Sequence, residues 1–351
     1  MKAKFVHTIE TSKFFSYYVS SYCIRHEYFL NDYITKIGNY SINQFQSSLQ
    51  PELWFDGHNF DSDDLSAKPL FKNDIENVRH KVFPATKVDG KDCRRYDFCF
   101  VPDYGFLGSP EPLSKNVELK LNFDREIGKM SVIDFKSKEA DDHTILSSPW
   151  QIKECYAVTE YISSPDLRSY YETINHSPLV YNYDDCEVMI RSIGQNETNV
   201  RFDAIHGGPV PSYLFAGVIE SDALQGSMSK TCTGFKQHGV IECNININGH
   251  SVNGYPIKIA KDVCTIPLEK WLDSTNRLHN NMCGNTLSLS TFKDNFIWSH
   301  YFESEETSTG WISLDLKLEN GYDTNMSLVV WIISPYTLTL DKFNQIERIR
   351  L

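Results

Sequence analysis

Short runs of alternating apolar and polar residues, broken by Gly, Pro, Asn and Asp, dominate this chain, and sustained helical periodicity is rare. Val117–Phe123 (VELKLNF) alternates strictly, as a strand with one wet face does. Ile241–Ile247 does the same and runs into Asn248-Gly249, a strong hairpin-turn signal. Trp311–Leu318 alternates and breaks at Asn320-Gly321, whereas Met326–Ile333 is almost continuously apolar, which suits a strand buried on both faces. These last two segments are predicted to pair with each other, antiparallel. Helical spacing is confined to Tyr28–Tyr40 and Lys261–Leu278. Many short strands with turn signals between them predict an all-β sandwich or barrel rather than an α/β enzyme fold, with short helices in the loops.

Composition agrees with that reading. The 351 residues leave room for one large or two ordinary domains, and 41% apolar residues are enough to build a core. Aromatic residues reach 13%, led by 21 Phe and 19 Tyr, types that favour pleated, half-buried strand surfaces. The most polar connection in mid-chain is Lys138–Ser148, which divides the chain into residues 1–147 and 148–351. Asp56–Asp74 reads as a long acidic surface loop.

The charge of −12 argues against a polyanion-binding protein, and the densest cationic group is only Lys91, Arg94 and Arg95. No direct nucleic-acid contact is expected. Nine cysteines are scattered, with no C-x-x-C pair and no Cys/His spacing that fits zinc. The start lacks a signal-peptide pattern, and no stretch is apolar over the ~20 residues that span a bilayer. A reducing cytosol or nucleus with free thiols is therefore expected, and the sequons at Asn39 and Asn196 are read as chance matches.

Chemical motifs are weak. The acidic run Asp56, Asp61, Asp63, Asp64 lacks the spacing, glycine and terminal Glu of a calcium loop, and a solvated loop is favoured. Asp184-Asp185 and Asp141-Asp142-His143 are read the same way, because unpaired charges are costly to bury. His206-Gly207-Gly208-Pro209 echoes an oxyanion loop without a nucleophile elbow, and is read as a turn. Gly105-Phe106-Leu107-Gly108 is not a phosphate loop. Cys93 and Cys99 flank two arginines, but a small apolar side chain on a strand is the preferred reading. No catalytic, cofactor-binding or metal-ligating residue is assigned, and no cofactor is expected.

Three ordered blocks carry more specific information. Arg94–Arg125 pairs an aromatic-rich strand with a loop and then Leu113, Asn116, Val117, Glu118 and Arg125. Upstream of it, Tyr40–Asp56 ends in an aromatic-x-Asp turn. Tyr213–Gly254 contains Ala216-Gly217-Val218-Ile219-Glu220-Ser221-Asp222-Ala223-Leu224-Gln225-Gly226-Ser227, followed by Phe235 and Ile247-Asn248-Gly249. Gly310–Leu318 closes on Asp-Leu-x-Leu, and Ser327–Leu351 holds Asp341 and Arg348 in its tail. In this order the blocks resemble, at low identity, the double jelly-roll capsid proteins of Polinton/Maverick elements and adintovirus-like DNA viruses. Two departures stand out: the chain starts too late for the family's opening strands, and Ile333-Ser334-Pro335-Tyr336 replaces a more acidic ending. These leave either an abbreviated first roll or a degraded or domesticated copy.

The resemblance implies two antiparallel β-sandwiches side by side. It also implies a non-enzymatic, hexon-type subunit that forms homotrimers, meets penton or minor capsid proteins, and resides in the virion after assembly in host cytoplasm or nucleus. Two other readings stay open: a jelly-roll attachment or glycan-binding module or minor capsid protein, and a cupin- or TNF-like enzyme or ligand. The last is weakened because His206, His238 and His250 fall in no metal motif.

Overall fold

The computed structural model describes residues 3–11, 17–19, 85–88, 91–100, 132–134, 150–159, 178–225, 235–260, 263–275, 289–292, 296–302, 309–340 and 346–350. The predicted helix at Tyr28–Tyr40, the strand Val117–Phe123, the loop Asp56–Asp74, Asp141-Asp142-His143 and the boundary stretch Lys138–Ser148 lie outside them.

The first part contains β1 (Ala3–Thr11), β2 (Tyr17–Val19), β3 (Ala85–Val88), β4 (Lys91–Phe100), β5 (Val132–Asp134) and β6 (Trp150–Thr159). A four-stranded sheet runs in the order β3-β4-β1-β6, and β2 pairs with β5. All the pairings are antiparallel, with β1 lying between β4 and β6. The Lys91, Arg94, Arg95, Cys93 and Cys99 group belongs to β4.

The second part is a sandwich. Its elements are β7 (Leu179–Ile193), β8 (Asn199–Pro209), β9 (Tyr213–Glu220), α1 (Ser221–Gln225), β10 (Val240–Ile247), β11 (His250–Ser251) and β12 (Ile257–Lys258). They are followed by α2 (Thr265–Ser274), α3 (Leu289–Phe292), β13 (Trp298–Tyr301), β14 (Thr309–Leu318), β15 (Met326–Leu340) and β16 (Ile346–Arg350). One sheet runs β11-β10-β14-β8, with β12 also on β10; the other runs β13-β9-β15, with β7 and β16 on β15. From β7 to β10 and again from β13 to β15 the chain changes sheet at every step, the winding of a jelly roll.

The first sheet has the one-sided pattern that its sequence dictates. Cys243 pairs with Leu316, Ile245 with Leu314 and Ile247 with Ile312, and all six are buried. On the opposite face of the sheet Asn244, Asn246, Ser251 and Asp315 bond one another. Asn246 donates to Asp315 at 2.8 Å, Asn244 to Asn246 at 2.9 Å and Ser251 to Asn244 at 2.6 Å. The Asn248-Gly249 turn that follows β10 has φ of 52° and 83°, the mirror-image geometry of a tight hairpin.

The second sheet is buried on both faces, so its strands read as continuous apolar runs. Leu214–Ile219 and Met326–Ile332 are buried without interruption. Phe215 pairs with Trp331 and Gly217 with Val329. Above this face, Phe235 meets the Trp331 ring edge-on at 5.4 Å, and Trp271 of α2 meets Phe215 at 5.6 Å. Trp271 continues to Phe292 and Phe292 to Phe296, at 6.3 and 5.7 Å. Such edge-on aromatic contacts contribute beyond the area they bury. The Lys261–Leu278 periodicity thus forms α2, shorter than predicted.

Three expectations need correction. First, β14 and β15 do not pair: β14 lies between β10 and β8, and β15 between β7 and β9. The link between them crosses from sheet to sheet instead of turning back. Second, His206–Pro209 is not a turn but the end of β8, with Gly207 and Gly208 opposite Trp311 and Gly310. Third, Asp184-Asp185 is not a loop. Both residues lie inside β7, opposite Pro335 and Ser334, because β15 runs past Ile333 to Leu340.

Candidate functional site

Beyond β9, the edge of β15 is taken over by β16, which pairs Tyr336 with Arg350 and Leu338 with Arg348. Here three strands bring a polar and aromatic cluster together. Tyr183 and Tyr336 stack at 6.0 Å with an interplanar angle of 19°. The Arg348 guanidinium lies 4.0 Å from the Tyr336 centroid and 5.9 Å from that of Tyr183, and forms an ion pair with Asp185. A cation held over a ring face and against a carboxylate is fixed in two directions at once. The Tyr336 hydroxyl donates to Glu187 at 3.4 Å.

Arg350 reaches further, into the other sheet. Its Nη2 donates to Ser334 Oγ and lies 2.7 Å from Nε2 of His206, a buried residue of β8. Just before His206 the strand bulges: Phe202 faces Leu314 and His206 faces Ile312, so Asp203, Ala204 and Ile205 share the single position of Ser313. Ala204 takes φ of 51° there. Bulges of this kind re-aim the residues that follow. Burial sets the local electrostatics. It lowers the His206 pKa from its ordinary value, assisted by Arg350, and raises those of Asp184, Tyr183 and Tyr336. For Tyr183 the neighbouring Arg348 opposes that rise.

The sequence flagged Arg348 only as a tail cation and Asp185 only as a loop acid; nothing local announces their partnership across 163 positions. His206, His238 and His250 are not brought together. His238 sits in the turn before β10, where its carbonyl accepts from Tyr322 at 2.8 Å, and His250 lies in the hairpin. Among the described residues no group of three or more His, Cys, Asp or Glu side chains is placed to hold a metal. Cys243 is a buried free thiol, and the Cys264 thiol donates to Gln237 at 3.6 Å. No helix among the described residues is long and apolar enough to cross a membrane.

Two surface features complete the picture. An open groove of about 640 Å3 is lined by polar residues including Asn196, Glu197, Asn199 and Arg201. Several large apolar side chains are exposed, chief among them Tyr255 at 69%, with Val180 and Ile190 on β7, Trp311 on β14 and Tyr301 on β13. Among the described residues β7 pairs with β15 alone.

No protein-family model and no curated protein matches the sequence. Solved structures do match. The chain aligns over 99% of its length with 82% of a chain in the cryo-EM structure of the Sputnik virophage, at a TM-score of 0.52 and 8% identity. The mavirus major capsid protein aligns with 99% of this chain and 83% of its own, at a TM-score of 0.47 and 10% identity. A chain of the PBCV-1 virus capsid gives 98% and 88%, at 0.43 and 7%. The fold is the double jelly roll that the ordered sequence blocks predict, all-β with short helices between strands.

Proposed function

We propose that this chain is a non-enzymatic structural subunit of an icosahedral virus shell, of the hexon type, resident in the virion. The observation that carries this reading is the virophage likeness over 99% of the chain. The sequence blocks independently resemble the same class. The exposed aromatic and aliphatic side chains add to the support, since subunit interfaces are enriched in such residues. In this reading three copies form a capsomer and meet penton or minor capsid proteins, with no direct contact to nucleic acid. We also propose two successive rolls, as the division into 1–147 and 148–351 has it. The pairing of β6 along β1 supports, within this proposal, a join after Thr159.

The test is the native mass of the purified full chain, with negative-stain imaging. Trimers of pseudo-hexagonal outline are the expected result, and a protein that stays monomeric at micromolar concentration refutes the reading. The polar groove beside Asn196 and Asn199 favours a second reading, an attachment module that binds glycans. Binding on a glycan array that Arg201→Ala abolishes would support it, and a blank array would remove it.

A further inference from the structure

Where β16 meets the other sheet, one ring nitrogen faces two incompatible partners. His206 Nε2 lies 3.0 Å from the Pro209 carbonyl oxygen and 2.7 Å from Arg350 Nη2. A carbonyl only accepts and a guanidinium only donates, so the nitrogen satisfies one of them at a time. Carrying a proton, it donates to Pro209 and presents N–H to N–H at Arg350. Without one, it accepts from Arg350. Arg350 depends on that contact. Among the described residues its side-chain hydrogen bonds go to His206 and Ser334, and its buried Nε has no hydrogen-bond partner.

We propose that His206 is a proton-operated latch on the C-terminal strand. With Nε2 unprotonated the ring accepts from Arg350 and holds β16 on β15; as imidazolium it repels Arg350 and β16 lets go. The placement suits the role. His206 sits after the β8 bulge in one sheet and Arg350 in the other, so this contact ties the two sheets together at the open end of β15.

Among the described residues, the charged and titratable groups around the ring are few. From β16 comes Arg350, and from β7 comes Glu187, whose carboxylate also accepts from the Tyr336 hydroxyl of β15. The neighbouring residue from β14 is Ile312, which is apolar. Arg348 is already paired with Asp185. Burial and Arg350 lower the His206 pKa below its ordinary 6.5, against the pull of Pro209 and Glu187. The latched state therefore prefers the neutral ring. Its hold is complete above that ordinary value and weakens as pH falls through it.

The experiment is amide hydrogen exchange on the full chain between about pH 7.5 and about pH 5, the span over which histidine titrates, with rates corrected for intrinsic exchange. The expected result is a loss of protection at 346–350 roughly tenfold or more beyond any loss at the β10–β14 pairs, which report the stability of the whole sandwich. In His206→Gln the amide donates to Pro209 and accepts from Arg350 together, so protection is expected to be independent of pH. Arg350→Gln removes the opposing cation and is expected to flatten the same dependence, which keeps the test valid if the first variant fails to fold. Overturning results are protection at 346–350 that holds down to pH 5, a loss there no greater than at the β10–β14 pairs, or an unchanged pH response in either folded variant.

Discussion

Gly217 and Phe235 form a lock whose energy can be separated from the rest of the core. A Cβ placed on Gly217 falls 2.6 Å from Cδ1 and 3.1 Å from Cε1 of Phe235, inside any real contact distance. Phe235 has no room to retreat, being fully buried and set edge-on against Trp331. Gly217 pairs with Val329 in ordinary strand geometry, so alanine meets no backbone obstacle and the clash is the whole effect. Gly217→Ala is expected to cost about 1–3 kcal/mol by overpacking. Phe235→Ala is expected to cost about 3–5 kcal/mol by leaving a cavity. Together they do not add. In the Phe235→Ala background the new methyl enters the space the ring left, so the clash disappears. The double variant should be about 1–3 kcal/mol more stable than the sum predicts. Urea unfolding of all four proteins at one fixed concentration measures this, with equal m-values as the control. Additivity to within about 0.5 kcal/mol would refute the lock.

Two further predictions concern other parts of the sandwich. His300 of β13 is buried against Phe302 at 4.7 Å, and burial, then Lys270, push its pKa down to about 4, opposed by Asp273. Because the folded state favours the neutral ring, stability is full above about 6.5 and declines as pH falls to about 4. The loss is about 3 kcal/mol. Unfolding of His300→Phe over the same pH series should show a shallower acid limb, and an unchanged slope would count against the assignment. Arg348→Gln removes the cation over Tyr336 and the partner of Asp185; with the Arg348 side chain 48% exposed, a loss of only about 0.5–1 kcal/mol is expected in chemical denaturation.

What could be read from the sequence was local. The alternation of Ile241–Ile247 and its Asn-Gly turn gave both the strand and its hairpin, because pleat and positive φ are properties of adjacent residues. The apolar run from Met326 correctly signalled burial on both faces. The pairing of β14 with β15 failed for a physical reason. Asn320-Gly321 looks like a second hairpin turn, yet neither residue adopts positive φ. Gly321 serves a different need: a Cβ there would sit 2.4 Å from Cα of Asn196, and the bare backbone lets Asn196 N–H bond the Tyr322 carbonyl at 3.0 Å. One dipeptide thus makes a turn in one place and a close approach in another, and only the distant Asn196 distinguishes them. The tail cluster was invisible for the same reason. An acid pair in a strand and an arginine near the end of the chain declare nothing until β7 and β16 lie on either side of β15.

The position of β15 also bears on how this chain is made. Thr337 bonds Asn182 across 155 positions of sequence, and every pairing of β7 described here is to β15. At roughly 5–20 residues per second, a ribosome leaves β7 without that partner for on the order of ten seconds. During that interval the unpaired backbone edge of β7 is open to neighbouring nascent chains on the same message. Premature termination before β15 would strand β7 permanently in that state. Fragments ending there should go to aggregates or chaperones rather than to partly folded sandwiches, so completing the sandwich waits for a strand that lies 155 positions downstream.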